Sequence, residues 1–326
     1  MTKTHHEIRL AATVSGATPP TREHFQLIEA PMPTVGAGQV LVRNRWMTVS
    51  AAMRTLMGDS PVPMPMYTVG NALHGPAIGE VVDSDDPAHP IGTWVRHRFG
   101  WREFAVVAQP EQISPATGAE DAAVWLGQGL TAYVGLRVAA DVRPGDTVLV
   151  TGAAGAVGAS AGQIARLLGA AHVVGTSGKP DLLPSLGYDV AVARSDPERL
   201  RAAAPDGFDV VFDTVGGSLL AHALELTRPG ARVALCGALA HQLAGEPATV
   251  PIDVMTLIGR RVTVRGFTAS DHDTARDQWT RHCAQWREAG RLRFPHVSID
   301  RLADAPRALI DLIAGRHHGT VLVGLS

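Results

Sequence analysis

A chain of 326 residues, 45% apolar and 18% charged, is long enough for two domains that each close a core. Its formal net charge of −2 removes nucleic acid and anionic membrane surfaces from the expected partners. The N-terminal MTKTHHEIRL has no apolar signal core and no stretch is long enough to span a bilayer. A cytoplasmic protein is therefore expected, with Cys236 and Cys283 as reduced, buried thiols.

From Glu7 to about Ala119 the pattern is short strands broken by proline and glycine: FQLIEAPMP, VLVRNRW, AIGEVVDS, TWVRHRF and REFAVVA. Val40, Val42 and Asn44 alternate with Leu41 and Arg43, which fits antiparallel sheet with one wet face and predicts a partly open β-barrel. The methionine- and proline-rich stretch from Ala51 to Asn71 reads as a mobile loop able to line or cover a site.

Near Gly118 the period changes, and strands alternate with helices to about Gly290. Val148–Ala170, VLVTGAAGAVGASAGQIARLLGA, opens as a buried strand and turns on Gly152, Gly155 and Gly158. It continues as a helix with Ala161, Ile164, Ala165 and Leu168 on one face. A glycine turn leading into a helix N-terminus presents free N–H groups and the positive end of the helix dipole to a pyrophosphate. The form is A-x-G-x-x-G (Ala153, Gly155, Gly158), and between strand and amphipathic helix it predicts a dinucleotide site. Further strands are expected at His172–Gly175, Asp209–Phe212, Arg232–Cys236 and Val262–Gly266, giving an α/β, doubly wound parallel sheet. The last helix of this unit is expected to start at Asp271 or Asp273 as N-cap, to bury Trp279, Cys283 and Trp286, and to stop at Gly290. The final strand, helix and strand return to the first domain. The expected domains are 1–119 with 291–326, and 120–290.

A site selective for NAD places an acid at the end of the second strand to accept from the ribose 2′-hydroxyl. Here that strand ends GTSGKPD, with Ser177 and Lys179 in the acid's place. Only two of the 29 basic side chains are lysines, Lys3 and Lys179. A lysine supplies a point charge for a 2′-phosphate, so NADP(H) is the expected cofactor.

VLVTGAAGAVGASAGQIARLLG, GLTAYVGL, FDVVFDTVGG, ARVALCGAL, LIGRRVTVRGF, VLVRNRWMTVSAAMR and AGRHHGTVLV together resemble the zinc-independent medium-chain dehydrogenase/reductases, on the branch of the prostaglandin reductases and 2-alkenal double-bond reductases. The resemblance implies a GroES-like barrel domain plus a Rossmann domain, a homodimer, and NADPH-dependent conjugate reduction of a small molecule carrying an α,β-unsaturated carbonyl. It places Ala154, Gly155, Ala156, Val157 and Gly158 on the pyrophosphate and Lys179 on the 2′-phosphate, to which the Ser177 hydroxyl can also donate. Arg194 stands where the family often has a tyrosine near the adenosine phosphate. Thr214 replaces the asparagine of a DNVGG loop. Cys236, Gly237 and Ala238 through to Gln242, with Phe267, Thr268 and Ala269, would line the nicotinamide half, and His317 aligns with a C-terminal contact. Metal-using relatives carry early Cys or His ligands. Here the matching stretches read TVSAAMR and LHGPAIGE, no cysteine precedes Cys236, and three ligands cannot be assembled, so no zinc is expected. The paired histidines His5–His6 and His317–His318 read as surface residues.

Conjugate hydride addition builds negative charge on the carbonyl oxygen, which needs a donor, and the α-carbon needs a proton. The family's tyrosine after its CGAIS-like segment is here Gln242, preceded by His241, and the tyrosine of a PYMR segment is here Ala52. These replacements imply a wider pocket and a changed donor, with Gln242, His241 and Tyr67 as candidates. The expected substrate is a bulky polyene or polycyclic enone of specialised metabolism, whose enolate can go on to close a ring. Two other readings stand beside it: a quinone reductase, from QGLTAY at Gln128–Tyr133, and a non-catalytic NADPH-binding sensor.

Overall fold

β1 (Thr4–Leu10) and β2 (Phe25–Pro31) pair antiparallel, and Ile8 and Leu10 of β1 point inward. This is a computed structural model, which describes residues 3–58, 65–244 and 249–325. β3 (Gln39–Val49) is the longest strand of the first unit; Val40, Val42 and Asn44 are buried on one face and Arg43 is exposed on the other, as expected, but Leu41, expected on the wet face, is buried too. Asn44 is tolerated in the interior because its Nδ2 donates to the carbonyls of Phe99 at 3.0 Å and Arg102 at 2.8 Å.

The stretch read as a loop from Ala51 begins instead as a short helix, α1 (Ala52–Leu56). Met53, Leu56 and Met57 fall at i, i+3 and i+4 and are all buried, so the methionines serve the core. Buried Arg54 donates to the carbonyls of Val14, Gly16 and Thr18, fastening the helix to the chain before β2. The centre of the methionine–proline stretch lies outside the described residues. β4 (Ala77–Ser84), β5 (Trp94–His97), β6 (Phe104–Ala108), β7 (Glu111–Gln112) and α2 (Ala119–Leu126) follow.

The second unit opens with α3 (Gly129–Val134), which runs on into a π-helical turn, Gly135–Ala139. Then come β8 (Thr147–Val150), α4 (Ala156–Leu167), β9 (His172–Ser177), β10 (Val190–Ala193), α5 (Pro197–Ala203), β11 (Phe208–Asp213) and α6 (Gly217–Glu225). β12 (Thr227–Leu235), α7 (Leu239–Ala244), α8 (Val254–Arg260), β13 (Thr263–Gly266) and α9 (Asp273–Glu288) complete it. The strands form one six-stranded parallel sheet in the order β10-β9-β8-β11-β12-β13. This is a Rossmann sheet, whose order reverses between β8 and β11. Its core is Leu149, Val174, Val192, Phe208, Val211 and Val233 with the inner faces of α5 and α6.

Two details depart from the reading of the sequence. β10 is an additional edge strand of four residues, too short to stand out between two proline-containing 3₁₀ turns and α5. α9 has His272 at its N-cap; Asp271 ends a 3₁₀ turn, and Asp273 is the first helical residue, where its charge still favours the helix's positive end. Trp279 and Cys283 are buried as expected, Trp286 is half-buried, and Gly290 ends the helix with φ +68°. Both cysteines are free thiols; burial pushes Cys236, which is half-buried, up to about 12 and Cys283 up to about 11.

β14 (His296–Ile299), α10 (Ala305–Ile313) and β15 (Thr320–Gly324) return to the first unit. β15 lies antiparallel to β3 in a mixed seven-stranded sheet, β14-β15-β3-β4-β5-β7, with β6 on β3. The first unit is Met1–Gly127, Gln242–Gly245 and His296–Ser326; the second is Gln128–His241 and Glu246–Pro295. The boundary falls after Gly127 because α2 packs on β14, β15, β3 and β4, although its sequence period is already helical. No helix among the described residues is long and apolar enough to cross a membrane.

Candidate active site

The carboxyl ends of the parallel strands carry the residues singled out in the second unit. Leaving β8, the chain turns on Gly152, which has φ +64°. Gly155 is the N-cap of α4 and has no side chain to cap the first N–H groups of the helix. A Cβ on Gly158 would lie 2.4 Å from the Gly152 carbonyl oxygen and 2.6 Å from Ala153 Cα, so helix and turn touch backbone to backbone there. The Ala153 N–H donates to the Thr176 carbonyl at 2.9 Å, which ties this turn to the end of β9. The result is an uncapped ring of N–H groups on Ala156, Val157 and Gly158, which fits a pyrophosphate.

At the end of β9, where an NAD site places an acid, the chain carries Ser177, Gly178 and Lys179, with Asp181 and Asp196 lining a cavity close by. Ser177 Oγ accepts from the Lys179 N–H at 2.9 Å, and the Ser177 carbonyl accepts from the Arg194 N–H at 3.1 Å. The Arg194 side chain lies over Gly178, with its guanidinium carbon 3.8 Å from where a Cβ would be. Half-buried Lys179 and exposed Arg194 thus come from two neighbouring strand ends to one corner, a fit for an added phosphate dianion.

Thr151 and Asp213, which the sequence reading passed over, hold the middle of the site. Thr151 Oγ1 donates to Asp213 Oδ1 at 2.6 Å and accepts from the Thr214 N–H at 2.9 Å. Thr214 Oγ1 donates back to the Thr151 carbonyl at 2.8 Å, and lies 2.3 Å from where a Gly152 Cβ would be. Asp213 Oδ2 accepts from the Gly216 N–H, while its carbonyl accepts from the N–H groups of Cys236 at 2.8 Å and Gly237 at 3.3 Å. One aspartate therefore joins β8, β11 and β12. Burial raises its carboxyl above the usual range, against the pull of the Thr151, Gly216 and Val215 hydrogen bonds. Its signal in the sequence is an acid placed directly before a glycine turn in FDTVGG.

Ala238 leads into α7, laid on the loop after β11 by bonds from the Leu239 N–H to the Thr214 carbonyl and from the Ala240 N–H to the Val215 carbonyl. His241 Nε2 donates to the Thr249 carbonyl at 2.9 Å. Its Nδ1 is buried beside Gly216 and has no partner among the described residues. Gln242 is half-buried and its amide has no hydrogen-bond partner among the described residues. Phe267, Thr268 and Ala269 follow β13, and the Phe267 ring packs on Phe212 at 6.3 Å between centroids.

Besides Gln242, three singled-out residues belong to the first unit. Tyr67 is buried, its hydroxyl donates to the His74 carbonyl at 2.6 Å, and its ring meets the His74 ring edge-on at 4.6 Å. Burial raises its phenol above the ordinary range, so the proton is firmly held. Ala52 sits half-buried on α1, and His317 is half-buried in the turn before β15. Among the described residues no three His, Cys, Asp or Glu side chains are grouped to hold a metal ion.

The chain matches two family models, one described as the N-terminal domain of oxidoreductase over residues 6–115 and one as zinc-binding dehydrogenase over residues 156–284. It is 30% identical to the NADPH-dependent curcumin reductase of Escherichia coli, over 96% of this chain and 95% of that protein. It is also 30% identical to prostaglandin reductase 1 of Bos taurus, over 93% and 94% of the two chains. Among solved structures, CurA from Vibrio vulnificus in complex with NADPH superposes with a TM-score of 0.90, at 27% identity, over 98% of this chain and 99% of that one.

Proposed function

The chain belongs to the zinc-independent medium-chain dehydrogenase/reductases, and on that premise we propose that it reduces the activated C=C bond of a bulky conjugated carbonyl compound. It is an NADP-dependent reductase of enones and alkenals. The observation that carries this reading is the cradle at the carboxyl ends of β8 and β9: a turn closed backbone to backbone at Gly158, with Ser177, Lys179 and Arg194 where an acid would select NAD. The N–H groups of α4 would hold the pyrophosphate, Lys179 and Arg194 the 2′-phosphate, and Thr214, Gly237, Phe267, Thr268 and Ala269 the nicotinamide half. NADPH, when bound, supplies a hydride for the β-carbon of the substrate.

The protein's remaining tasks are to orient the carbonyl, exclude water and stabilise charge on its oxygen. Of the three donor candidates, Tyr67 spends its proton on the His74 carbonyl and His241 spends its Nε2 proton on Thr249. The Gln242 amide has no hydrogen-bond partner among the described residues, and we assign its N–H to the enolate oxygen; water then delivers the proton to the α-carbon. Ala52 and Gln242, smaller or more flexible than tyrosine, favour a large substrate. When such a substrate carries an electrophile within reach of the enolate carbon, ring closure competes with protonation.

A panel of enones tests the reading. Turnover of bulky conjugated ketones faster than of short enals supports it, and exclusive turnover of short enals sinks the size argument. Turnover of benzoquinone without enones would make the protein a quinone reductase, and tight NADPH binding without any turnover would make it a sensor.

The cofactor assignment has its own test. Lys179→Ala is expected to weaken NADPH by about 10- to 100-fold, the loss of one or two charge-assisted hydrogen bonds. NADH should change by less than about threefold, because the variant removes only phosphate contacts. Arg194→Ala should act in the same direction and more weakly, given its exposure. Equal losses for both nucleotides by calorimetry would remove the pair from the 2′-phosphate.

The homodimer, too, is assigned a face. β13 is one of the two edges of the six-stranded sheet; Val264 on it, and Ile252, Val254, Met255 and Ile258 in and just before α8, are exposed, Met255 to 70%. Apolar side chains next to an unpaired strand edge fit a second copy of this chain. Met255→Asp should yield monomers in sedimentation equilibrium; an unchanged dimer would relocate the contact.

A further inference from the structure

The π-helical turn after α3 has no part in the reading above, and its first residue, outside the phosphate cradle, is a glycine that a Cβ would force against two rings. At Gly135 the helix stops making i→i+4 bonds, and the Ala140 N–H reaches back to the Gly135 carbonyl at 2.8 Å. Such turns widen a helix and occur at functional sites. A Cβ on Gly135 would lie 2.3 Å from Phe212 Cε2, 2.5 Å from Phe267 Cζ and 2.9 Å from Phe267 Cε1. Two phenyl rings are therefore seated directly on the helix backbone, which only glycine permits.

The rings are not equally free to move. Phe212 is 0% exposed within the sheet, one residue before the Asp213 junction, and cannot yield without disturbing β11. Phe267 is half-buried and follows the last residue of β13, so it is the ring that would give way. A second tie runs between the same two segments: Arg265 on β13 donates to the Val138 carbonyl in the π turn at 3.2 Å. From these contacts we propose that Gly135 and its π turn form a positioning device for the 267–269 backbone. The turn sets the depth of the Phe267 ring and thereby the wall that meets the nicotinamide half. The inference rests on the assignment of Phe267–Ala269 to that wall.

Three variants decide it: Gly135→Ala, Phe267→Leu and the double variant, each measured for NADP⁺ affinity by calorimetry, for KM and kcat, and for Tm. Gly135→Ala is expected to raise the NADP⁺ dissociation constant and the KM for NADPH about tenfold, more than it lowers kcat. Phe267→Leu, which clears the ring from the new methyl, should bring the double variant back to within about threefold of Phe267→Leu alone. A residue that only stabilises the fold would lower Tm and leave affinity in place. Unchanged affinity in Gly135→Ala overturns the proposal, as does a loss that Phe267→Leu does not relieve, which would put the effect in Phe212. If Gly135→Ala does not fold, Phe267→Leu decides alone: positioning requires a weaker NADP⁺ complex, and unchanged affinity overturns it. Failure of the unsubstituted protein to bind NADP⁺ would overturn the cofactor reading itself, a separate outcome.

Discussion

Gly158→Ala is expected to raise the dissociation constant for NADPH at least 100-fold, whereas Gly155→Ala should cost less than tenfold. The ordering follows from what each new methyl meets. At Gly158 it would lie 2.4 Å from the Gly152 carbonyl oxygen and 2.6 Å from Ala153 Cα, both backbone atoms held by β8 and by the bond from Ala153 to Thr176. Neither can yield, so α4 must withdraw from the turn, and its N–H groups leave the place where a pyrophosphate meets them. Overpacking of this kind costs about 1–3 kcal/mol of stability, about 2–4 °C in Tm for each kcal/mol in a domain of this size. At Gly155 the nearest atom is the same carbonyl at 3.3 Å, and φ is −76°, an ordinary value for any residue. Alanine fits there with a small adjustment. Calorimetry with NADPH on the two variants checks the ordering, and equal losses would mean that the phosphates do not approach through this turn.

The A-x-G-x-x-G spacing marked the turn but did not rank its glycines, and the reason is physical. A local pattern records which residues lack a Cβ, and the packing of α4 on β8 decides which absence is obligatory. Features made by neighbours in sequence were legible: the β8–α4 unit, the Ser177–Lys179 departure from an acid, the alternation in β3 and the return of the last strand. Features made by distant partners were not. The glycine turn of FDTVGG marks Asp213 and supplies Gly216, but nothing near it in the chain announces that its carboxylate and carbonyl will also receive Thr151, Cys236 and Gly237. α1 was hidden because its methionines, read as loop composition, are core residues once Met53 and Met57 share a face. The donor was the hardest question, because direction decides it. Tyr67 and His241 carry the right atoms, and only the geometry shows their protons turned to backbone carbonyls.

That geometry makes Gln242 the residue whose loss should cost most in turnover. Gln242→Leu keeps the volume of the side chain and removes its N–H, and it is expected to lower kcat for enones by about 10²–10³, the range seen when one donor to a developing oxyanion is removed. NADPH affinity should stay within about threefold, since the amide is assigned to substrate and the cradle residues are untouched. A drop in affinity without a drop in kcat would move Gln242 from the substrate to the nucleotide. Gln242→Tyr separates charge stabilisation from pocket size. A phenol is as good a donor as an amide but larger and stiffer, so turnover of short enals should be kept while turnover of bulky conjugated ketones falls at least tenfold. If bulky and short substrates respond alike to tyrosine, the width of the pocket is set elsewhere. Ala52 on α1 then becomes the position to enlarge, because it is the other place where this chain carries a small side chain instead of a phenol.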